Sequence, residues 1–314
     1  MLAAGLVLVF AWSGFAQTQP DGVRVSIRPR GVPRPRAAAS LRVDVRLVLV
    51  PVSVTDPFGS PVPGLTSEDF RLFEDGIEQQ IRHATSQEEP VSLGVVVDAS
   101  QSMEDKMDRA RAAVARFFRV SLPGDEFFLL EFNDRPSMMC GFTSDTELIE
   151  KALMGLRPRN RTALFDAVYM ALHQARKARN RRQALLILSD GADNYSRYSE
   201  GEMMSLVREA GIGIYAIGLP GGGLLASRRH MRLLKRLSEE TGGRMYEIEK
   251  IDDLPDAVAG MNNTIRNQYL LTYVSNVPTD DDRYRKIQVR LNARPEGPPL
   301  RATWRTGYYP YSSR

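Results

Sequence analysis

The sequence predicts an α/β protein: a doubly wound, mostly parallel sheet with a small β-sandwich formed from the N- and C-terminal flanks. Short apolar runs alternate with amphipathic helical segments across residues 91–267, as in a parallel sheet covered by helices on both faces. Residues 41–89 and 268–314 are instead rich in strand-forming residues and turn sequences. Two of the apolar runs end abruptly in an aspartate, at the sheet edge where open α/β sheets bind ligands.

The composition is that of an ordinary soluble globular protein. Of its 314 residues, 43% are hydrophobic and 25% are charged, and the formal net charge is +4. Much of the positive surplus lies in two short runs, 24–36 and 176–182, which is typical of solvated surface, so we expect no nucleic-acid partner. The single cysteine, Cys140, excludes a disulfide framework, and its apolar neighbours favour a small buried side chain over a catalytic thiol.

The N-terminus predicts export. Residues 2–16 are apolar, too short to span a bilayer comfortably, and end in the small residues Gly14 and Ala16. This pattern is typical of a secretory signal peptide, residues 1–16, although no Lys or Arg precedes the apolar stretch. The Pro- and Arg-rich residues 17–40 predict an exposed linker. We therefore expect a secreted, periplasmic or cell-envelope protein with no transmembrane span in the mature chain.

The N-terminal β region, residues 41–89, begins with a Val- and Leu-rich run and continues into dense turn sequence at 56–64. Asp75 and Gly76 lie between two short apolar stretches, which predicts a hairpin. The region is too short to form a sandwich alone. We expect it to pair with the C-terminal strands, predicted at residues 268–274, 285–291 and 301–309.

The doubly wound domain is predicted over residues 91–267 from its alternating pattern. Strands are expected at residues 91–98, 126–132, 183–189, 213–219 and 244–248. Helices are expected between and after them, at residues 103–120, 146–156, 163–177, 199–209, 230–240 and 253–267.

Three polar loops are predicted at one edge of this sheet. They offer hydroxyl and carboxylate oxygens from Asp98, Ser100, Ser102, Thr162 and Asp190, which are the hard donors that Mg²⁺ or Mn²⁺ prefers. Each loop also has an ordinary interpretation: Asp98 or Thr162 could cap the following helix, and Asp190 could be a turn residue. Without a cation, Asp98 and Asp190 would repel, and the pKa of at least one would rise.

The five positions resemble the metal-ion-dependent adhesion site of the von Willebrand factor type A domain family, and the resemblance spans about residues 91–267. It implies that the five residues hold a divalent ion directly or through water. Asp105 stands where some adhesion receptors have a second metal site, but Lys106 follows it, so we interpret Asp105 as helix surface. Several motifs are similar to exported bacterial proteins described as von Willebrand factor A-related: residues 51–56, 64–70, 74–76, 162–168, 189–194 and 268–273.

The function implied by the resemblance is non-enzymatic: the bound ion would take an Asp or Glu carboxylate from a protein partner. One alternative is a metal-dependent hydrolase or phosphatase with Asp98 as nucleophile. Such an enzyme needs a second acid beside the nucleophile and a cationic group for the phosphate, whereas Ala99 and Ser100 follow Asp98 here. The other alternative is a structural envelope protein whose ion only stabilises the fold.

Overall fold

The computed structural model describes residues 47–86, 89–191, 193–221, 224–277, 283–292 and 298–310. All of them lie in one compact unit, Val45–Arg314. The predicted signal peptide, residues 1–16, and linker, residues 17–40, lie outside the described residues.

Fourteen strands are present in the described part of the chain. In chain order they are β1 Leu47–Thr55, β2 Phe70–Glu74, β3 Ile77–Gln79, β4 Ile81–Thr85, β5 Val91–Asp98, β6 Glu126–Phe132, β7 Pro136–Thr143, β8 Arg182–Ser189, β9 Gly213–Gly218, β10 Met245–Glu247, β11 Tyr269–Val274, β12 Arg285–Leu291, β13 Arg301–Trp304 and β14 Gly307–Tyr308.

Six α-helices accompany the strands in the same residues. They are α1 Met107–Arg119, α2 Thr146–Met154, α3 Leu164–Ala175, α4 Glu200–Ala210, α5 Leu224–Glu240 and α6 Leu254–Arg266, and short 3₁₀ turns occupy Ser67–Asp69, Gln101–Lys106 and Ile251–Asp253. None of the helices described is both long enough and apolar enough to cross a bilayer.

The central sheet has six strands in the order β10-β9-β8-β5-β6-β7. All neighbours are parallel except β6 and β7, which are antiparallel. Helices α1, α2 and α6 pack on one face, and α3, α4 and α5 pack on the other. Strand β5 is buried at all eight positions, which accounts for its uninterrupted run of apolar and small residues. The predicted α/β fold class is confirmed.

The flanks form two antiparallel four-stranded sheets that share one apolar core. Their strand orders are β13-β1-β11-β4 and β14-β12-β2-β3, so each sheet combines strands from before and after the central sheet. The predicted hairpin joins β2 to β3, with both Asp75 and Gly76 at positive φ, as a tight two-residue turn requires. The domain boundaries of 41–89, 91–267 and 268–314 stay predictions.

The sandwich meets the α/β domain through buried hydrogen bonds around residue 268. Gln268 Nε2 donates to Tyr215 Oη at 2.6 Å and to Ser53 Oγ at 3.2 Å, which links β9 and β1 to the start of β11. Close by, the Arg182 guanidinium donates to the main-chain oxygen of Arg266 at 2.6 Å. Because Gln268, Tyr215 and Ser53 are buried and Arg182 is half-buried, these hydrogen bonds fix the direction in which β11 leaves α6.

The structure differs from the sequence-based expectation in three places. The predicted helix at 103 begins as a 3₁₀ turn, with α1 starting only at Met107, and α5 begins six residues before the predicted His230. Strand β7 was not predicted, because as a half-exposed edge strand it lacks a continuous apolar run. It contains Cys140, which is partly rather than fully buried and packs against the core.

Close packing in the middle of the sheet depends on Gly94 of β5. A methyl group at this position would lie 2.1 Å from Cζ of Phe128 and 2.6 Å from Cδ2 of Leu185, far inside van der Waals contact. Both neighbours are themselves buried core residues, so neither has room to move away.

We expect Gly94→Ala to destabilise the fold by about 2 kcal/mol or more, the usual range for overpacking a dense core. Gly141→Ala on edge strand β7 is the matched control, because no atom outside its neighbours lies within 4 Å of the added methyl group. Urea denaturation measures both. Equal midpoints for the two variants would contradict the packing described here.

Candidate metal centre

The two central strands of the sheet create a crevice at their C-terminal ends. From β5 the chain proceeds through α1 to β6 on one side, whereas from β8 it proceeds through α4 to β9 on the other. Neighbouring strands that lead in opposite directions leave an opening between their outgoing loops, which is where such sheets bind ligands. Asp98 ends β5, and Asp190 directly follows β8.

The Asp98 carboxylate is fully buried and held on both oxygens. The main-chain N–H of Ser100 donates to Oδ1 at 2.9 Å, and the Ser189 hydroxyl donates to Oδ2 at 2.5 Å. Burial raises the pKa of Asp98 to about 6, against the opposing effect of these hydrogen bonds. The negative charge of Asp190 adds a smaller contribution in the same direction, so the rise expected from repulsion is present but burial is its main cause.

The Asp190 carboxylate lies across the crevice and contacts the serine loop. The Ser102 hydroxyl donates to Oδ1 of Asp190 at 2.7 Å, and the hydroxyls of Ser100 and Ser102 lie 3.1 Å apart. Asp190 and Ser100 are buried, whereas Ser102 is exposed. Solvent therefore reaches the group of oxygens from the Ser102 side.

Thr162 approaches the same point from the third loop. The loop is fixed to its neighbours, because Thr162 N donates to Asn194 Oδ1 at 3.0 Å and Asn194 N donates to the Thr162 carbonyl at 3.0 Å. A methyl group on Gly191 would lie 3.5 Å from Thr162 Oγ1 and 3.8 Å from Ser102 Oγ, so these hydroxyls flank one space. The N-cap of α3 is Ala163 rather than Thr162, and the Thr162 hydroxyl has no hydrogen-bond partner among the described residues.

The structure thus brings together all five predicted residues, and we call them the candidate metal centre. They come from three loops that are far apart in the sequence, and they are Asp98, Ser100, Ser102, Thr162 and Asp190. Nowhere in the described ranges do three or more His, Cys, Asp or Glu side chains form a metal-binding group, so a cation here would depend on the hydroxyls.

Lys106 is the residue at this site that the sequence reasoning missed. Its ammonium group contacts Oδ2 of Asp190 and donates to the main-chain oxygen of Ser102 at 2.7 Å. In the sequence, Lys106 is notable only as a departure from an acidic pattern. Its spacing of four residues from Ser102 does not predict the contact, because residues 101–106 form a 3₁₀ turn with three residues per turn.

The donor set fits a hard divalent cation. Asp98 is mostly ionised at neutral pH, and together with Asp190 it gives two negative charges against the single positive charge of Lys106. The unpartnered Thr162 hydroxyl offers a further oxygen with no competing bond among the described residues. Oxygen ligands of mixed carboxylate and hydroxyl type suit Mg²⁺ or Mn²⁺.

Comparison with known proteins agrees with this fold. Residues 93–192 match the family model of the von Willebrand factor type A domain. The proximal thread matrix protein 1 of the mussel byssus aligns with a TM-score of 0.52 and 19% identity, over 61% of this chain and 50% of that one. A second structure of that protein, with zinc in its metal-ion-dependent adhesion site motif, gives a TM-score of 0.51 and 18% identity, over 61% and 49%.

A minor pilin, PilB from Streptococcus sanguinis, aligns with a TM-score of 0.48 and 13% identity, over 58% of this chain and 63% of the pilin. The alignment with this chain therefore covers between 49% and 63% of the length of these proteins. Comparison with curated proteins gave no match.

The fold and the crevice define a doubly wound α/β domain with an opening at the switch point of its sheet. Residues 93–192, the part of the chain that matches the family model, are similar in sequence to the von Willebrand factor type A domain family. Domains of this class typically mediate protein interactions.

We expect Lys106→Met to raise the affinity of the candidate metal centre for Mg²⁺ by roughly tenfold, about 1.4 kcal/mol, because a cation no longer has to compete with the ammonium group for Asp190. Isothermal titration of the purified chain with MgCl₂ measures this. Lys151→Met on α2 is the control, since Lys151 is exposed and forms no ion pair among the described residues. An unchanged or weaker affinity in Lys106→Met would show that Lys106 and the ion do not share Asp190.

Proposed function

We propose that the chain is a metal-ion-dependent protein-binding module of an exported bacterial protein. The observation that carries the proposal is the convergence of five oxygen donors at a crevice that remains open to solvent at Ser102. Export is proposed from the apolar residues 2–16 with their small C-terminal residues.

The proposed ligands divide into two kinds. Asp98 and Asp190 contribute charge, whereas the hydroxyls of Ser100, Ser102 and Thr162 are neutral. A bound Mg²⁺ or Mn²⁺ would supply an electrophilic coordination position for a partner's Asp or Glu carboxylate. Because three of the five donors are uncharged, much of the cation's charge would remain available to that carboxylate.

The chain's own residues prepare the site for this role. Ser189 and the main chain of Ser100 hold the Asp98 carboxylate in one orientation, so its position does not depend on the partner. Lys106 balances part of the negative charge beside Asp190. The Asn194 side chain and main chain hold the Thr162 loop against the loop that follows β8.

The geometry argues against the phosphatase alternative. Lys106 does supply a cationic group at the site, which the sequence analysis had not expected. However, a nucleophilic Asp98 would need an exposed oxygen aimed at its substrate, and this carboxylate is fully buried with both oxygens hydrogen-bonded. We therefore propose a binding role rather than an enzymatic one.

The first test is metal-dependent stability of the purified chain. We expect millimolar MgCl₂ to raise the melting temperature of the wild type, because ligand at a hundredfold excess over its Kd stabilises a protein by about 2.7 kcal/mol. We expect Asp98→Ala and Thr162→Ala to lose this increase, while Ser137→Ala, an exposed serine of β7, should retain it. An equal increase in all four proteins would place the ion elsewhere.

The second test separates adhesion from a purely structural ion. A fluorescent Gly-Gly-Glu-Gly-Gly peptide should bind the wild type in MgCl₂ with a Kd on the order of 1 mM, and should not bind in EDTA or to Asp98→Ala. The matching Gln peptide is the control for the carboxylate. Mg²⁺-dependent stability without any difference between the two peptides would favour the structural envelope protein instead.

A further inference from the structure

A groove of about 510 Å³ lies between the starts of α3 and α4 and the first half of α5. Phe165 of α3 and the loop residue Asp193 form one wall, Glu200 begins α4 at another, and Arg229, His230 and Arg232 of α5 line the third. The predicted site residues do not include any of these positions.

The groove adjoins the candidate metal centre. Phe165 lies three residues after Thr162, and Asp193 lies three residues after Asp190. The two walls are tied together, because Phe165 N donates to Asp193 Oδ2 at 3.1 Å. On the third side, the His230 ring is close enough to Asp190 to feel its charge. A ligand that reaches the metal centre therefore has the groove beside it.

The α5 side of the groove carries positive charge that no carboxylate in the described residues neutralises. Arg229 and Arg232 are exposed, and neither forms an ion pair with a carboxylate among the described residues. The third arginine, Arg236, is by contrast paired with Glu200 at 2.7 Å. The Asp193 carboxylate already accepts hydrogen bonds from Phe165 N and from Ser196. The guanidinium groups of Arg229 and Arg232 are therefore available to bind a ligand.

The α5 wall of the groove contains a polar side chain without a hydrogen-bond partner among the described residues. His230 is fully buried, and neither ring nitrogen has a hydrogen-bond partner of normal geometry in the described part of the chain. The nearby main chain of Ser189 and the charge of Asp190 oppose the effect of burial, but burial is larger and lowers the His230 pKa. Buried polar atoms are nearly always hydrogen-bonded, so an unpaired imidazole in a groove wall indicates a place for a polar ligand atom.

We propose that this groove is the second half of the partner-binding surface and that the partner is a segment with several neighbouring acidic residues. This inference rests on the proposed function: one carboxylate binds at the candidate metal centre, and the next ones pair with Arg229 and Arg232, with His230 as a further hydrogen-bonding group. Arginine is well suited to this task because its planar guanidinium group binds carboxylates through two parallel hydrogen bonds. Glu200 and Asp193 at the rim disfavour the evenly spaced phosphates of a nucleic acid.

Binding of two fluorescent peptides to the full chain in MgCl₂ tests the proposal: hexaglutamate, and Gly-Gly-Glu-Gly-Gly with its single carboxylate. We expect the wild type to bind hexaglutamate roughly tenfold more tightly, since two exposed ion pairs and a third polar contact add to the carboxylate bound at the metal centre. The advantage should disappear in 0.5 M NaCl, where exposed charges are screened.

The decisive variant is Arg229→Glu/Arg232→Glu. We expect it to lose most of the hexaglutamate advantage while binding the single-carboxylate peptide as the wild type does. Arg116→Glu is the matched control, because Arg116 is also exposed and free of ion pairs among the described residues but lies on α1, on the opposite face of the sheet. An unchanged melting temperature shows that each variant is folded.

The outcomes separate this proposal from the proposed function. Wild-type hexaglutamate affinity in the double variant would overturn the groove proposal while leaving the metal-dependent function intact. Hexaglutamate binding that needs the two arginines but is the same in EDTA and in Asp98→Ala would contradict the metal-dependent function and the joint site, leaving only an acidic-peptide groove. Tighter, arginine-dependent binding of a twelve-residue oligothymidylate than of hexaglutamate would overturn the assignment to an acidic protein segment.

Discussion

The burial of a single carboxylate at the end of the central strand is the constraint on which the rest of this site depends. Asp98 follows seven buried residues, so its carboxylate lies at the edge of the core and not in water. An ionised group in such a place needs hydrogen bonds and a compensating positive charge. Ser189 and the Ser100 main chain supply the hydrogen bonds, and Lys106 supplies a positive charge beside Asp190, across the crevice. The single positive charge of Lys106 does not neutralise both carboxylates, Asp98 and Asp190. This remaining negative charge is the physical reason to expect a cation.

Much of this arrangement can be predicted from the sequence, because it depends on two features: apolar strands buried on both faces, and the parallel order of those strands. A strand buried on two faces has to be apolar throughout, so the run ending at Asp98 and the run ending at Ser189 are visible in the sequence. Parallel strands place their C-terminal ends at the same edge, which brings Asp98 and Asp190 together without further information. The hairpin at Asp75–Gly76 is equally local, because its two positive-φ residues suit the turn it forms.

The features that the sequence did not reveal depend on tertiary contacts. Strand β7 is held at the sheet edge by pairing with β6, and its mixed exposure gives no clear periodicity. Lys106 becomes part of the centre only because a 3₁₀ turn follows Ser100 and directs the side chain back to Asp190. Only the packing of α5 against β9 shows that His230 is buried and has no hydrogen-bond partner for its ring among the described residues. In each case the missing information was the position of a neighbour distant in sequence or on the next turn.

The central claim is that one divalent ion lies among the five oxygen donors. Anomalous diffraction from crystals grown with MnCl₂ tests this most directly. The account predicts a single strong peak within about 2.1–2.5 Å of oxygens from the Asp98–Ser102 loop, Thr162 or Asp190, with the Lys106 ammonium moved away from Asp190. Crystals with bound manganese elsewhere on the chain, and Lys106 still in contact with Asp190, would contradict it.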